Sequence, residues 1–186
     1  YQNCKETGLT PQVLPSGASG PAFFRTFADF DRDGRLDLFS AELTYNPSTS
    51  TPATATPGIF KIWRQQSDGT YAADPSMIAS GTACLHPRKP IVADFNQDGR
   101  PDVFVACHGY DASPFPGEKN KIVLSRADGK YEIKDAGPDV GFFHAASAAD
   151  MNGDGKIDVV VTNNFDPRSA YVLLISIQNW PTWSGN

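Results

Sequence analysis

The hydrophobic pattern of the chain consists of short apolar runs that come in pairs, and an aspartate-rich loop separates the two runs of each pair. The first run leads into the loop: "FFRTFAD" at 23–29, "KPIVAD" at 89–94 and "AASAAD" at 145–150. The second run leaves it: "LDLFSAE" at 36–42, "DVFVAC" at 102–107 and "IDVVVTN" at 157–163. Runs that are this short and almost continuously apolar predict inner strands of a sheet, buried on both faces.

A second pattern follows the first two pairs of runs. Asp-Gly lies between apolar stretches in "FKIWRQQSDGTY" at 60–71 and in "KIVLSRADGKY" at 121–131. Such a placement predicts a β-hairpin with a type I′ turn. The third pair is followed by "YVLLISIQNWPTWSGN" at 171–186, which has the strand pattern without the Asp-Gly turn. No stretch has convincing helical periodicity, so we predict an all-β chain.

These signals recur along the chain as a repeat. The aspartate-rich loops begin at Asp29, Asp94 and Asp150, which are 65 and 56 residues apart. Four-stranded units of about 40–50 residues that repeat in line are typical of a β-propeller, and the units here are a little longer, with the excess in loops. We therefore predict one repeat domain over 1–186 with three four-stranded blades, in repeats of approximately 1–70, 71–130 and 131–186. Because propellers have roughly four to eight blades, we expect either a part of a larger propeller or completion by blades of another copy.

The loops have the composition of a calcium site. "DFDRDGRLD", "DFNQDGRPD" and "DMNGDGKID" carry oxygen-bearing side chains at loop positions 1, 3, 5 and 9, with glycine at position 6. Ca²⁺ takes six to eight oxygen ligands, and the glycine permits the tight turn that gathers them. With the backbone carbonyl of position 7 included, the candidate metal ligands are Asp29, Asp31, Asp33, Arg35, Asp37, Asp94, Asn96, Asp98, Arg100, Asp102, Asp150, Asn152, Asp154, Lys156 and Asp158.

A metal-free alternative for each loop is a solvated Asx-type turn. The same offsets in three loops favour calcium, and we expect three structural Ca²⁺ ions, one for each loop. The loop is not an EF-hand, because that loop closes with glutamate at position 12, where this chain has Ser40, Val105 and Val161. Without an ion the carboxylates would repel one another, so calcium should be linked to folding.

The net charge of −5 is concentrated in these loops, which contain ten of the 21 acidic residues. The remaining 11 acidic residues stand against 16 lysines and arginines. This distribution argues for local cation sites, while the mildly basic remainder is too weak to predict nucleic-acid binding. No apolar run approaches the ~18 residues of a membrane-spanning helix, so no membrane span is predicted.

The motif D-x-[DN]-x-[DN]-G-x-[ILP]-D between two strands, together with the Asp-Gly hairpins, resembles the FG-GAP/VCBS family of integrin-alpha-type repeats over essentially the whole chain. The resemblance implies a bladed β-propeller, calcium between strands one and two, and a secreted, cell-surface or periplasmic location. The chain departs from the family pattern at Pro101 and in long loops at 46–58 and 109–119. The family includes adhesion proteins, glycan-binding proteins and polysaccharide-degrading enzymes, so the resemblance does not choose among these functions.

Two of the three cysteines flank the second pair of predicted strands. Cys84 lies ten residues before the second acidic loop, and Cys107 lies five residues after it. If the loop joins antiparallel strands, these ends approach each other and a Cys84–Cys107 disulfide is geometrically allowed. Two buried free thiols are an equally good interpretation of the sequence.

The opposite end of the predicted sheets carries the connections from strand two to strand three and from strand four to the next repeat. The candidate ligand-binding residues there are His86, Arg88, Lys89, His108, Tyr110, His144 and Arg168. One interpretation is a polar pocket for an acidic or sugar ligand. The other is that His86 and His144 satisfy loop backbone and the rest is ordinary solvated surface. Trp180 and Trp183 either stack on sugar rings or pack against a further blade.

We therefore expect a calcium-stabilised extracellular β-propeller module that binds a glycan or a protein, as in adhesion, without catalysis. The sequence contains no serine elbow, no phosphate-binding glycine loop and no HExxH zinc motif. One alternative is a fragment of a propeller-type lyase or hydrolase acting on polysaccharide, with a lysine, arginine or histidine of the opposite end as the base. Another is a set of purely structural repeats within a larger protein.

Overall fold

The described part of the chain is built from β-strands. The computed structural model describes residues 22–164 and 172–175, with backbone alone for 22–23 and 172–175. These ranges contain twelve strands in three sheets. No helix in them is long and apolar enough to cross a membrane. The all-β prediction is confirmed for these residues.

With the exception of β5, neighbouring strands in each sheet are also consecutive in the chain. The first sheet contains, in spatial order, β1 (Ala22–Ala28), β2 (Asp37–Glu42), β3 (Ile59–Gln65) and β4 (Tyr71–Ala73). The second contains, from the outer edge inward, β5 (Ile78–Ser80), β9 (Tyr131–Gly141), β8 (Glu118–Ser125), β7 (Asp102–Cys107) and β6 (Pro87–Ala93). The third contains β10 (Phe143–Ala149), β11 (Asp158–Asn163) and β12 (Val172–Ile175).

The predicted unit of four antiparallel strands is present in the first two sheets, as β1 to β4 and as β6 to β9. In both, an acidic loop joins the first two strands and an Asp-Gly turn joins the last two. β5 is an addition that the sequence did not predict, because its three residues are too short for a pattern; it pairs with β9 in parallel. The fourth strand predicted for the third repeat falls outside the described residues.

The Asp-Gly turns differ from the predicted type I′. That type needs positive φ at both central residues, but in the first turn only Gly69 has it, at +82°. The Gly69 N–H donates to the Gln66 carbonyl at 2.9 Å, and the Gln66 N–H donates to the Thr70 carbonyl at 2.7 Å. This is a three-residue loop, a type I turn closed by a glycine bulge, and Gly129 repeats it with φ +82°. The type I′ prediction was wrong because Asp-Gly suits both turns.

The sheets pack face to face, with their first strands adjacent: β1 lies beside β6, and β6 beside β10. One hydrophobic core contains Phe39 and Ile62 of the first sheet and Val123 and Tyr131 of the second. The other contains Phe104, Ile122 and Leu124 of the second sheet and Phe143 and Val159 of the third. The second sheet is therefore buried between its two neighbours.

Strand β7 contributes to both cores. Val103, Val105 and Cys107 belong to the first core, while Phe104 and Ala106 belong to the second. All six residues of the strand are buried. The prediction of a strand that is apolar on both faces is confirmed here, since alternate side chains of a strand point to opposite sides.

The second residue of the first acidic loop fastens one sheet to the next. Phe30 is fully buried, and its ring meets that of Tyr131 edge-on with centroids 5.7 Å apart. Its carbonyl accepts the Tyr131 hydroxyl at 2.9 Å and the Arg100 guanidinium at 3.3 Å. Phe95 at the same loop position is buried in the second core. Met151, the third equivalent, is 43% exposed.

A disulfide closes the end of the second sheet that lies away from the acidic loops. Of the two interpretations left open by the sequence, the structure has Cys84 bonded to Cys107, with Cα atoms 6.0 Å apart. A carboxylate oxygen of Glu118 lies within 4.8 Å of both sulfur atoms. The same carboxylate accepts the Leu85 N–H at 2.8 Å. Burial raises the pKa of Glu118 to about 7, against the opposing effects of that hydrogen bond and of Lys121.

Phe30→Ala is expected to lower the free energy of unfolding by about 3–5 kcal/mol, because it leaves a cavity between the first two sheets. Met151→Ala changes the same position of the third loop, and its cost should stay near ~0.5 kcal/mol because that side chain is exposed. Urea unfolding followed by tryptophan fluorescence measures both variants. Equal losses would contradict the packing assigned to Phe30.

The Glu118 carboxyl should give the chain a pH-dependent stability. Its pKa is about 7 in the folded chain and ordinarily 4.5, so the folded state holds this proton more tightly than the unfolded state. The free energy of unfolding therefore receives a contribution that falls as pH rises from about 4.5 to 7. Glu118→Gln keeps an oxygen acceptor for Leu85 and removes the titration. As pH rises across this range, the melting temperature of the variant should rise relative to that of the wild type. A constant difference between the two melting temperatures would rule the effect out.

Candidate functional site

Three acidic loops, at 29–37, 94–102 and 150–158, lie at one end of the three sheets, and all three fold alike. Position 6 has the left-handed conformation expected for glycine: φ is +86° at Gly34, +78° at Gly99 and +83° at Gly155. Position 4 has it as well, with φ of +64° at Arg32, +59° at Gln97 and +75° at Gly153. The sequence did not predict the second of these, because arginine and glutamine give no signal for that conformation. Two left-handed residues curl each loop inward.

Carboxylates at the start of each loop bind the backbone of its far side. In the first loop Asp29 accepts the N–H groups of Asp33 and Gly34 at 3.0 and 2.9 Å. Asp94 does the same with Asp98 and Gly99 at 3.0 and 2.8 Å. In the third loop the acceptor is Asp150, with donors Asp154 and Gly155 at 3.1 and 2.8 Å. Position 3 accepts the N–H of position 5 in every loop.

The ninth residue of each loop is a buried aspartate: Asp37, Asp102 and Asp158 are at most 1% exposed. Asp102 Oδ2 accepts the N–H groups of Phe95 and Asn96 at 2.8 and 3.2 Å. Its Oδ1 accepts the Ser125 N–H at 2.7 Å. Burial raises the pKa of Asp102 to about 6 and also raises the pKa of Asp37. This carboxylate therefore joins the loop to the third strand of the same sheet.

The residue at position 7 has a second role that the sequence did not suggest. Its carbonyl was predicted as a metal ligand, but its side chain holds the loop against the neighbouring hairpin. Arg35 Nε donates to the Gln65 carbonyl at 2.9 Å. Arg100 donates to the carbonyls of Arg126 and Gly129 at 3.1 and 2.9 Å.

Oxygen atoms of the first loop converge. One carboxylate oxygen from each of Asp29, Asp31 and Asp37 lies within 4.8 Å of the other two. Two arginines contact aspartates of this loop. Arg64, from β3, contacts Asp31, and Arg35, from the loop itself, contacts Asp33. A group of carboxylates with this spacing can hold a hard divalent cation, because opposed ligands at ~2.3–2.6 Å from an ion are about 5 Å apart.

The opposite end of the sheets, called the far end below, is shaped by a β-bulge at the same place in each first strand. The register of β6 on β7 shifts between Pro87 and Lys89, which leaves Arg88 as the extra residue. In β10 the extra residue is His144, and in β1 it is Phe23. A bulge turns a side chain away from the regular alternation of the strand.

The far end brings the three histidines of the chain together. The His108 ring centroid lies 5.1 Å from that of His86 and 4.3 Å from that of His144. Phe142 packs on His108 at 3.4 Å, and the Tyr45 hydroxyl is hydrogen-bonded to His86 Nδ1 at 2.9 Å. We call these five residues the histidine cluster.

The predicted ligand-binding residues are thus only partly brought together. His86, His108 and Tyr110 are buried, and the Tyr110 hydroxyl donates to the Ser50 carbonyl of the 43–58 loop. Arg88 pairs with Asp111 at 3.3 Å, whereas Lys89 is exposed. Tyr45 and Phe142 were missed, since nothing in the pattern distinguishes them from core residues. Arg168, Trp180 and Trp183 lie outside the described residues.

Burial also sets the charge of the histidines. It lowers the pKa of His86 to about 4 and of His108 to about 3, and it lowers the pKa of His144. The neighbouring Arg88 adds to each of these shifts. All three imidazoles are therefore neutral at pH 7. The lyase alternative needs a base that contacts a polysaccharide chain. His86 and His108 are buried, so their rings are not exposed to such a chain.

The loop geometry agrees with a family match. The sequence profile of the FG-GAP-like repeat matches residues 29–105 and 94–161, which together exceed half of the chain. The chain belongs to the FG-GAP-like repeat family. Each match starts at the first residue of an acidic loop and ends in the strand that follows the next one. No curated protein and no solved structure gives a significant match.

Proposed function

We propose that this FG-GAP-like repeat chain is a calcium-stabilised β-propeller module that works outside the cytosol. The observation that carries the proposal is the identical curl of its three acidic loops. Each has two left-handed residues, and in each the side-chain oxygens of positions 1 and 3 accept backbone N–H groups from within the loop. A solvated turn gains nothing from several carboxylates in one place, because they repel one another. A calcium ion requires several oxygen ligands and offsets that repulsion.

The donor set supports calcium over softer metals. Every proposed side-chain ligand is a carboxylate or amide oxygen, and calcium takes oxygen ligands in flexible arrangements. The buried aspartate at position 9 already accepts backbone N–H groups. Asp37 accepts three N–H groups and still has a carboxylate oxygen within 4.8 Å of oxygens of Asp29 and Asp31. In the first loop, calcium would displace the arginine contacts of Asp31 and Asp33.

The propeller assignment is supported by how the sheets are arranged. Strand order runs outward from the first strand in each sheet, and the first strands of neighbouring sheets are adjacent. The second sheet is buried on both faces, as a blade between two blades is. We infer that further blades, from the same polypeptide or from another copy, complete the ring.

The Cys84–Cys107 disulfide supports an extracellular or periplasmic setting. Disulfides persist in oxidising compartments and are rare in the cytosol. The bond links the strand β7 to the segment ahead of β6, so it stabilises the second sheet at the end that calcium does not reach. Calcium and the disulfide would thus stabilise opposite ends of one hairpin.

Calcium should raise the melting temperature of the chain, and a chelator should lower it, because the ion binds the folded loops. At 100-fold excess over Kd each site contributes about 2.7 kcal/mol. Asp94→Asn removes one ligand charge and should reduce the response. Asp139→Asn, an exposed change outside the loops, should leave it intact.

Asp102→Asn separates the two roles of the loop. Its amide presents a donor where an oxygen accepts N–H groups, so this variant should be less stable even in chelator. Differential scanning calorimetry with calcium and with chelator measures all three variants. An unchanged midpoint for the wild type, with no heat of calcium binding, would eliminate calcium stabilisation.

We also propose that the far-end surface binds a glycan or a protein without catalysis. Lys89 is exposed at this end, and most residues of the 43–58 loop, which is rich in threonine and proline, are exposed as well. Exposed loops on a rigid sheet scaffold are common binding surfaces.

A glycan array probed in calcium tests this surface. Lys89→Ala should weaken binding about tenfold if the ammonium bonds an acidic sugar. Lys130→Ala removes an exposed lysine at the other end and should have no effect. Unsaturated products from uronate polymers would instead support the lyase alternative, and binding that is insensitive to Lys89 would contradict the assigned surface.

A further inference from the structure

The far end gathers nitrogen donors that the acidic loops lack. One imidazole nitrogen from each of His86 and His108 and one carboxylate oxygen of Asp111 all lie within 4.8 Å of one another. His108 Nε2 is 3.9 Å from Asp111 Oδ1. These residues come from two segments: His86 precedes β6, and His108 and Asp111 belong to the loop that follows β7. The fold therefore brings His86 to a pair of residues that are three positions apart in the chain.

We propose that His86, His108 and Asp111 form a second metal site, selective for a borderline divalent ion such as Zn²⁺. Two imidazoles and one carboxylate are a common ligand set for zinc, which binds histidine nitrogen at ~2.0–2.1 Å and carboxylate oxygen at ~2.0–2.2 Å. Tetrahedral ligands at those lengths are about 3.3–3.5 Å apart. A side-chain adjustment of about half an ångström brings His108 and Asp111 to that separation.

The protonation state of the site suits a metal. Imidazole must be neutral to ligate, and burial together with Arg88 keeps both histidines neutral well below pH 7. The Asp111 side chain is 37% exposed, which leaves an entry route from solvent. Three protein donors leave a fourth position for water or for a ligand atom, as in zinc sites that remain open.

Hydrogen bonds around the donors orient them. The Tyr45 hydroxyl is bonded to His86 Nδ1 at 2.9 Å and accepts the Asp111 N–H at 3.0 Å, so one side chain positions two of the three ligands. Arg88 holds the other carboxylate oxygen of Asp111 at 3.3 Å. Partners of this kind fix the ring orientation of ligating histidines in metal sites. The guanidinium also adds a positive charge nearby, so the affinity should be below that of all-cysteine structural sites.

The proposed zinc site does not depend on calcium binding. The experiment therefore measures zinc binding separately from calcium binding. The full chain is first saturated with Ca²⁺, so that the oxygen-only loops are occupied, and is then titrated with Zn²⁺ by calorimetry. Co²⁺ serves as a spectroscopic substitute, because tetrahedral nitrogen and oxygen coordination gives visible absorption bands. The wild type should bind about one equivalent of Zn²⁺, show those bands with Co²⁺ and gain thermal stability with zinc.

Asp111→Asn and His86→Asn should each weaken zinc binding by at least about tenfold. Asp111 is partly exposed, so its variant should fold even if the histidine variant does not. Asp139→Asn is the matched control and should bind zinc as the wild type does. His144→Asn, in the same cluster but outside the donor set, should also retain binding.

Three results would overturn the site. One is the absence of zinc heat and cobalt bands in the wild type under saturating calcium. Another is wild-type affinity in both Asp111→Asn and His86→Asn. The last is loss of binding in His144→Asn alone, which would show that the donor set is wrongly assigned.

Discussion

The buried carboxylate at the ninth position of the first two acidic loops is the interaction on which their repeats depend. Asp102 is fully buried and accepts two N–H groups of its own loop and one from the third strand of its sheet. Burying an unbonded carboxylate costs several kcal/mol, and these hydrogen bonds offset that cost only in one geometry. The curl of the loop and the position of the third strand are therefore fixed together.

Much of this architecture could be predicted because it follows from side-chain period and loop composition. The apolar runs that became β2, β7 and β11, and the loops before them, are direct consequences of alternation and of glycine at position 6. Other features depend on tertiary contacts and have no recognisable pattern in the local sequence. The left-handed conformation of Gln97, the parallel strand β5 and the glycine bulge after Asp68 belong to this group.

The far end was the harder part to predict. The sequence places the three histidines at one end of the sheets, but neither of its two interpretations, a polar ligand pocket or groups that satisfy loop backbone, predicts that His86 and His108 are buried against each other. Burial of His108 depends on Phe142, which comes from the turn between β9 and β10, more than thirty residues along the chain. The two ends of the sheets consequently differ in donor chemistry, hard oxygen at one and imidazole nitrogen at the other. Metals sort between such sets by softness, so the calcium and zinc sites proposed above differ in the kind of ion that they would select.

The β-bulge in each first strand gives every repeat one position at which the residue type differs between the repeats. Phe23, Arg88 and His144 occupy the same register position, and they are an aromatic, a cationic and an imidazole residue. Arg88 and His144 belong to neither hydrophobic core. A substitution there changes the chemistry of the far end while the cores keep their packing. Each repeat therefore has one bulge position at which the residue type can change without altering the cores. In a chain of such repeats, the chemistry of the far end can change one repeat at a time.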